Sequence, residues 1–144
     1  MIKIAVTGGI ACGKSLFGEL LAQNDKVEVF DADDLVRQMH EPNMQGAKLI
    51  ASTFGDEYIL PNGATNKTAL AELVFKDANA REKLNSLFHP IVRQELISKQ
   101  NLNLSKPIKV ALIPLLFESG WEADWDLTVC VTTTAEEQLK RLLT

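Results

Sequence analysis

The residue types and spacing that best suit chemistry lie in the segment "TGGIACGKSL" near the amino terminus. Gly8, four further residues, and then Gly13, Lys14 and Ser15 match G-x-x-x-x-G-K-[ST], the pattern of a phosphate-binding loop (P-loop). Glycines, here including Gly9, let backbone N–H groups turn toward phosphate oxygens, the lysine bridges the β- and γ-phosphates, and the serine hydroxyl binds Mg²⁺. The pattern predicts a nucleoside triphosphate site. The alternative is a glycine-rich turn that only begins an ordinary helix.

Three aspartates follow the second apolar run, "VEVF". Asp31 and Asp33 close this predicted strand, and residues two apart in an extended segment point the same way. Strand carboxyl ends of a parallel sheet open onto the ligand crevice, where a carboxylate accepts a proton from a hydroxyl or orients Mg²⁺ through water. Asp33 is the predicted catalytic base. In the alternative, Asp31 or Asp34 only caps the next helix.

The third apolar run, "KVALIPLLFE", helps to distinguish between classes of P-loop protein. Many P-loop proteins place an aspartate directly after such a run, whereas this chain has Pro114 there and Glu118 four residues later. Mg²⁺ ligation beyond Ser15 therefore stays open. The Asn-Lys-x-Asp motif of GTPases is also missing, so a small-molecule kinase is favoured over a GTPase switch.

Four short apolar runs predict the sheet that positions these residues. The predicted strands are Ile2–Val6, Val27–Phe30, Lys109–Ile113 and Leu127–Val131, and a helix is predicted from Lys14 to Gln23. Strands that alternate with helices indicate an α/β fold with a doubly wound parallel sheet of the P-loop NTPase type.

The middle of the chain, about 41–105, has helical rather than strand patterns. Helices are predicted over Ala47–Phe54, Thr68–Phe75 and Arg81–Gln100, with Pro90 starting a new helix within the last range. We interpret this region as a helical insertion packed on the sheet of a single domain, with a core of about 1–40 and 107–144; its substrate-binding role is implied only by the family resemblance described below.

The last residues predict a helix that begins with a capping box of Thr134 and Glu137. Its apolar stripe of Leu139, Leu142 and Leu143 reaches the final residues without a glycine or asparagine cap. This pattern leads to the expectation that the natural chain continues, and that a sheet edge and this apolar face are exposed.

Composition excludes several function classes. The chain has 144 residues and a formal net charge of −4, which argues against broad binding to nucleic acid or anionic membranes. No segment resembles a signal peptide or a membrane span, and Cys12 and Cys130 form no disulfide or metal pattern, so we expect a cytoplasmic protein. Cys12 is either a redox-sensitive thiol or, more simply, a small residue tolerated in the loop; Cys130 is interpreted as a core residue.

Four motifs in this order resemble the dephospho-coenzyme A kinase family: "TGGIACGKS", "DAD", "FHP" and "IPLLFESG". The resemblance covers nearly the whole chain. It implies transfer of the γ-phosphate of ATP, with Mg²⁺, to the ribose 3′-hydroxyl of dephospho-CoA, the last step of coenzyme A synthesis. It also implies a P-loop core, a helical CoA-binding region and a lid, with a monomer or small homo-oligomer expected.

The resemblance also assigns roles by position. The loop from Ala11 to Leu16 resembles the ATP-binding loop of the family, and Asp33 its base. His89 falls in the region that faces the CoA substrate. The remaining candidates are arginines: Arg81 and Arg93 flank His89 and suit a pyrophosphate, although exposed solubilising charges account for them equally well, and Arg141 resembles the start of the lid.

The chain departs from the family pattern at several positions. Ala11, Cys12 and Leu16 replace more typical loop residues, and "TNK" stands where Leu-Asp-Arg is usual. Two alternatives therefore stay open: another small-molecule P-loop kinase that acts on a nucleoside or sugar acid, and a nucleotide-binding module without catalysis.

Overall fold

The computed structural model describes all residues from 1 to 144 and shows an α/β fold with one parallel sheet. The strands are β1 (Ile2–Gly8), β2 (Val27–Asp31), β3 (Ile108–Leu112) and β4 (Leu127–Val131). The helices are α1 (Lys14–Ala22), α2 (Ala32–Met39), α3 (Gln45–Phe54), α4 (Lys67–Lys76), α5 (Ala78–Gln100) and α6 (Ala135–Leu143). The predicted fold class and all four predicted strands are confirmed, with bounds that differ by at most two residues.

The sheet has the strand order β2-β3-β1-β4. In its register, Val6 pairs with Leu112, Leu112 pairs with Asp31, and Gly8 pairs with Val131. All four strands therefore end at the same edge of the sheet. Because β1 is an inner strand, the loop after it lies beside the ends of both neighbouring strands.

The core of the sheet is a cluster of apolar side chains from three strands, Val6, Val27, Val110 and Leu112, against which Phe17 and Leu21 of α1 pack. Gly18 lets α1 approach this cluster closely, because an added Cβ would lie 2.7 Å from Cδ1 of Leu112. The position of α1 behind the loop is thus fixed by tight packing.

A buried lysine links β2, β3 and the segment before β3 at the amino-terminal end of the sheet. Lys109 is fully buried, pairs with the carboxylate of Glu28, and donates to the carbonyl oxygens of Leu102 and Asn103. The carbonyls and carboxylate satisfy a charge that would otherwise be costly to bury.

The chain divides into two compact units, residues 1–32 with 96–144 and residues 33–95. The first contains the sheet, α1 and α6, and the second contains α2, α3, α4 and most of α5. In the second unit, Gly46 of α3 lies against α2 and α5, since an added Cβ would be 2.6 Å from the Met39 oxygen and 2.8 Å from the Phe88 ring.

The predictions for Pro90 and Cys130 are wrong. Helix α5 continues through Pro90 rather than restarting there, and Phe88 and Val92 are buried on either side of the proline, so packing maintains the helical path. Cys130 is exposed rather than in the core, because β4 is an outer strand of the sheet.

Candidate active site

The loop between β1 and α1 has the backbone conformation of an anion cradle. Gly13, the N-cap of α1, has φ 91° and ψ 18°, and Ala11 has φ 57°, both in the left-handed region. The Cys12 N–H donates to the Gly9 oxygen at 3.3 Å, which closes a turn. No side chain caps α1 and its first turn has no acidic residue, so the amides at its amino terminus remain available to an anion.

Gly8 is required for the approach of the loop to β4. An added Cβ at this position would lie 2.6 Å from the carbonyl oxygen of Val131, its partner in the register. Any side chain would push the two strands apart exactly where the loop begins, so glycine at this position follows from packing.

Lys14, Ser15 and Leu16 form the first turn of α1. Ser15 and Leu16 are exposed, and Lys14 is partly exposed. Cys12, in contrast, is buried, with 9% of its surface accessible. The lysine and the serine hydroxyl therefore stand at the open side of the loop, while the cysteine is part of its support.

Helix α6 contacts the loop through two side chains one turn apart. Gln138 Nε2 donates to the Ile10 oxygen at 2.9 Å and lies 3.2 Å from Cys12 Sγ. Arg141 Nη1 donates to the Ala11 oxygen at 3.0 Å, and its Nε pairs with Glu137 Oε1 at 3.2 Å. Arg141 thus lies at the predicted nucleotide loop.

The amino terminus of α6 has half of the predicted capping box. The Glu137 N–H donates to Thr134 Oγ1 at 3.2 Å, which confirms the cap. The Glu137 carboxylate turns instead to Arg141, one turn along the helix. This pair directs the guanidinium toward the loop.

The aspartates after β2 are arranged differently from the expectation. The strand ends at Asp31, and α2 begins at Ala32, so Asp33 and Asp34 lie in the first turn of a helix rather than in an extended segment. Residues two apart on a helix do not share a face. Asp33 and Asp34 are exposed, and Asp34 pairs with Arg37 one turn along.

The acceptor-side candidates His89, Arg93 and Arg81 are exposed residues of α5. His89 and Arg93 are one turn apart on one face, because the helix does not restart at Pro90. Arg81 lies about 18 Å along the axis from Arg93, at about 1.5 Å per residue. With this spacing, the two arginines suit separate anionic groups rather than one small anion.

A histidine that the sequence does not single out lies in the same unit as these candidates. The His40 ring stacks on Phe88 with centroids 5.0 Å apart, and Nδ1 lies 3.0 Å from Thr65 Oγ1. Burial lowers the pKa of His40, and the positive charge of Lys67 lowers it further. Beside it, Asn66 caps α4 by accepting from the Ala69 N–H at 3.2 Å, which gives "TNK" a structural role.

Sequence reasoning also misses the contact of Gln138 with the loop. One signal was available: Gln138 precedes Arg141 by three residues, so the two side chains share a helix face. Nothing local to α6 indicates that this face meets the loop, because the contact joins residues 128 positions apart.

A parallel sheet with this loop at the carboxyl end of an inner strand defines a nucleotide-binding α/β protein of the P-loop class. A model of the CoaE dephospho-CoA kinase family matches residues 2–144. The chain belongs to the dephospho-CoA kinase family.

Individual relatives agree with this assignment. A dephospho-CoA kinase of Pseudoalteromonas translucida is 37% identical over 138 residues, which cover 96% of this chain and 65% of the relative. One of Listeria monocytogenes is 37% identical over 142 residues, which cover 97% of this chain and 70% of the relative. The chain therefore spans about two thirds of the length of these proteins.

Solved structures have the same fold. A Thermus thermophilus crystal structure has a TM-score of 0.78 and 32% identity, and the match covers 99% of this chain and 71% of that one. A dephospho-CoA kinase from Campylobacter jejuni has a TM-score of 0.65 at 18% identity, and the match covers 97% of this chain and 94% of that one.

Proposed function

We propose that this chain transfers the γ-phosphate of ATP to the ribose 3′-hydroxyl of dephospho-CoA and so forms coenzyme A. The observation that carries the proposal is the phosphate loop itself: uncapped amides at the start of α1, Lys14 in the first turn, and no acidic residue in that turn. Family membership supports the choice of acceptor.

On the donor side, the loop amides and Lys14 would hold the phosphates and stabilise the charge that develops during transfer. Phosphoryl transfer has a loose transition state, so positioning and electrostatic stabilisation account for most of the rate. Arg141, held at the loop through Glu137, adds a second positive charge on this side. Leu16 and Cys12 contribute backbone rather than polar side-chain groups.

The donor set fits Mg²⁺ bound together with the nucleotide. The chain has no group of three or more histidine, cysteine, aspartate or glutamate side chains suited to a metal ion, and the exposed Ser15 hydroxyl stands in the first turn of α1. Mg²⁺ is usually held by substrate phosphates, waters and one or two protein oxygens. Ser15 would be that protein ligand, and the bound ion would neutralise phosphate charge.

On the acceptor side, Asp33 would accept the proton of the 3′-hydroxyl. Asp33 is exposed in the first turn of α2, where its side chain is accessible to a substrate. His89 and Arg93 would contact one anionic part of dephospho-CoA, and Arg81 another. In this arrangement, the helical region is the acceptor-binding part of one kinase domain.

The binding partner, the cellular location and the oligomeric state are also part of the proposal. The partner is a small molecule rather than nucleic acid or membrane, in line with the net charge of −4. No helix of the chain combines the length and apolar character that crossing a membrane requires. We place the protein in the cytoplasm, as a monomer or small homo-oligomer.

An acceptor panel tests this proposal. The chain would be incubated with MgATP and dephospho-CoA, adenosine or a sugar acid, and ADP release would be measured with Lys14→Ala as the control for contaminating kinases. We expect ADP release above the control only with dephospho-CoA. Release with adenosine or the sugar acid instead would assign the chain to another class of small-molecule kinase. ATP binding without release for any acceptor would favour a binding module.

A further inference from the structure

Gln138 of α6 contacts the loop between β1 and α1 but has no role in the function proposed above. Its Nε2 lies 2.9 Å from the Ile10 oxygen and 3.2 Å from Cys12 Sγ, and an added Cβ at Gly9 would come within 3.2 Å of the same nitrogen. The amide group therefore lies against the loop at Gly9, Ile10 and Cys12.

The hydrogen bond to Ile10 fixes the orientation of one peptide group. In a trans peptide the carbonyl of one residue and the N–H of the next point in opposite directions. No peptide bond of the chain is cis, and Ala11 is in the left-handed region with φ 57°. With the Ile10 oxygen held toward α6, the Ala11 N–H points away from α6, toward the cradle.

This orientation decides whether the loop attracts or repels phosphate. If the Ile10–Ala11 peptide flipped, its carbonyl oxygen would replace the N–H at the cradle, and a partial negative charge would face the anion. An exposed loop with a left-handed non-glycine residue is under strain that favours such rearrangement. We propose that Gln138 is a positioning residue that keeps the Ala11 amide directed at the nucleotide phosphates.

Arg141 does not duplicate this role. Arg141 donates to the carbonyl oxygen of Ala11, which belongs to the peptide between Ala11 and Cys12. The N–H of that peptide is the Cys12 N–H, and it already donates to the Gly9 oxygen. The Cys12 N–H is thus used in the turn, whereas the peptide held by Gln138 directs the Ala11 N–H, which adds to the uncapped amides at the start of α1. The proposal rests on the proposed function only for ATP binding, and it does not depend on the acceptor.

The test replaces the donor without adding charge, by Gln138→Met. Leu139→Met is the matched control, because it introduces the same side chain at the next, exposed position of α6. The dissociation constants of MgATP and of dephospho-CoA would be measured by calorimetry, together with the melting temperature. We expect Gln138→Met to weaken MgATP binding about tenfold, as loss of one hydrogen bond to a positioning group suggests, with dephospho-CoA binding within about twofold.

Gln138→Glu gives a second variant of the same length that lacks the donor. It is expected to weaken MgATP binding at least as much as Gln138→Met, while Leu139→Met retains the wild-type value. Unchanged MgATP affinity in both Gln138 variants would overturn the proposal. The proposal would also be overturned if the affinities for MgATP and dephospho-CoA fell together and the melting temperature was lowered, because this result indicates a merely structural role. If the wild-type chain binds ATP but does not phosphorylate dephospho-CoA, the proposed function fails and this result still stands.

Discussion

At the scale of single residues, Lys14 occupies a position that helix electrostatics disfavour. It stands in the first turn of α1, where the dipole repels cations, and no acidic residue in that turn compensates it. A phosphate group bound at the loop would relieve both the positive helix end and the lysine. The position of Lys14 is thus unfavourable for the helix alone, which supports the role proposed for it.

Asp33 allows a sharp test, because Asp34 beside it is chemically identical. We predict that Asp33→Asn lowers kcat on the order of 10²–10⁴-fold, the range for loss of a general base, with the KM for ATP nearly unchanged. Steady-state kinetics with dephospho-CoA measure both constants.

Asp34→Asn is the matched control for the loss of one carboxylate. Asp34 pairs with Arg37 on the surface, and such exposed pairs contribute about 0–1 kcal/mol, so kcat should stay near that of the wild type. If Asp33→Asn kept wild-type turnover, Asp33 would not be the base.

His40 predicts a pH dependence of stability. Its pKa is lowered in the folded state, mainly by burial and then by Lys67, so the unfolded chain takes up the proton first as the pH falls. The free energy of unfolding should therefore be constant above about pH 6.5, the unperturbed value, and should decline as the pH falls from there through the lowered pKa.

Urea unfolding between pH 5 and 8 measures this decline. His40→Gln should remove most of it, because the titrating group is gone, whereas His89→Gln changes the chain's other histidine and should leave the decline in place. A decline of the same size in His40→Gln would assign it to other groups.

At the scale of elements, the sequence predicted correctly those helices and strands whose formation depends on neighbouring residues. The loop, the strands and the start of α1 follow from neighbouring residues, so spacing alone placed Gly13, Lys14 and Ser15 correctly. The first turn of α2 was mistaken for extended chain, because "DAD" carries no periodicity to separate the two. Pro90 was misjudged because burial of Phe88 and Val92 outweighs the local preference of proline.

Helix α5 therefore contains a proline that costs stability. Pro90 is exposed, lacks an N–H to donate to the Ser86 carbonyl, and stands in the middle of a 23-residue helix. We predict that Pro90→Ala raises the free energy of unfolding by about 2 kcal/mol: about 3 kcal/mol gained in the helix, less about 1 kcal/mol because the unfolded chain becomes more flexible.

Chemical denaturation would measure this gain, with Asn85→Ala as the control at another exposed position of α5. The control should gain less than about 0.7 kcal/mol, since only helix propensity changes there. Equal or lower stability of Pro90→Ala would contradict a continuous, proline-strained α5.

At the scale of the whole molecule, the sheet and the helical region form separate compact units, and the proposed roles divide between them. The loop, α1 and α6 carry the donor-side residues, and α2 and α5 carry most of the acceptor-side residues. The sequence predicted this division of roles only through its resemblance to a family, since spacing gives no distance between segments far apart in the chain. Leu139, Leu142 and Leu143 of α6 are exposed.

Identification of the reaction product is the decisive experiment for the proposed phosphoryl transfer from ATP to dephospho-CoA. The chain would be incubated with MgATP and dephospho-CoA, the product mass measured by mass spectrometry, and the new phosphate located by ³¹P NMR. We expect coenzyme A with the phosphate on the 3′-oxygen, and no such product with Lys14→Ala. ATP binding with no coenzyme A formed, or a phosphate at another position, would contradict it.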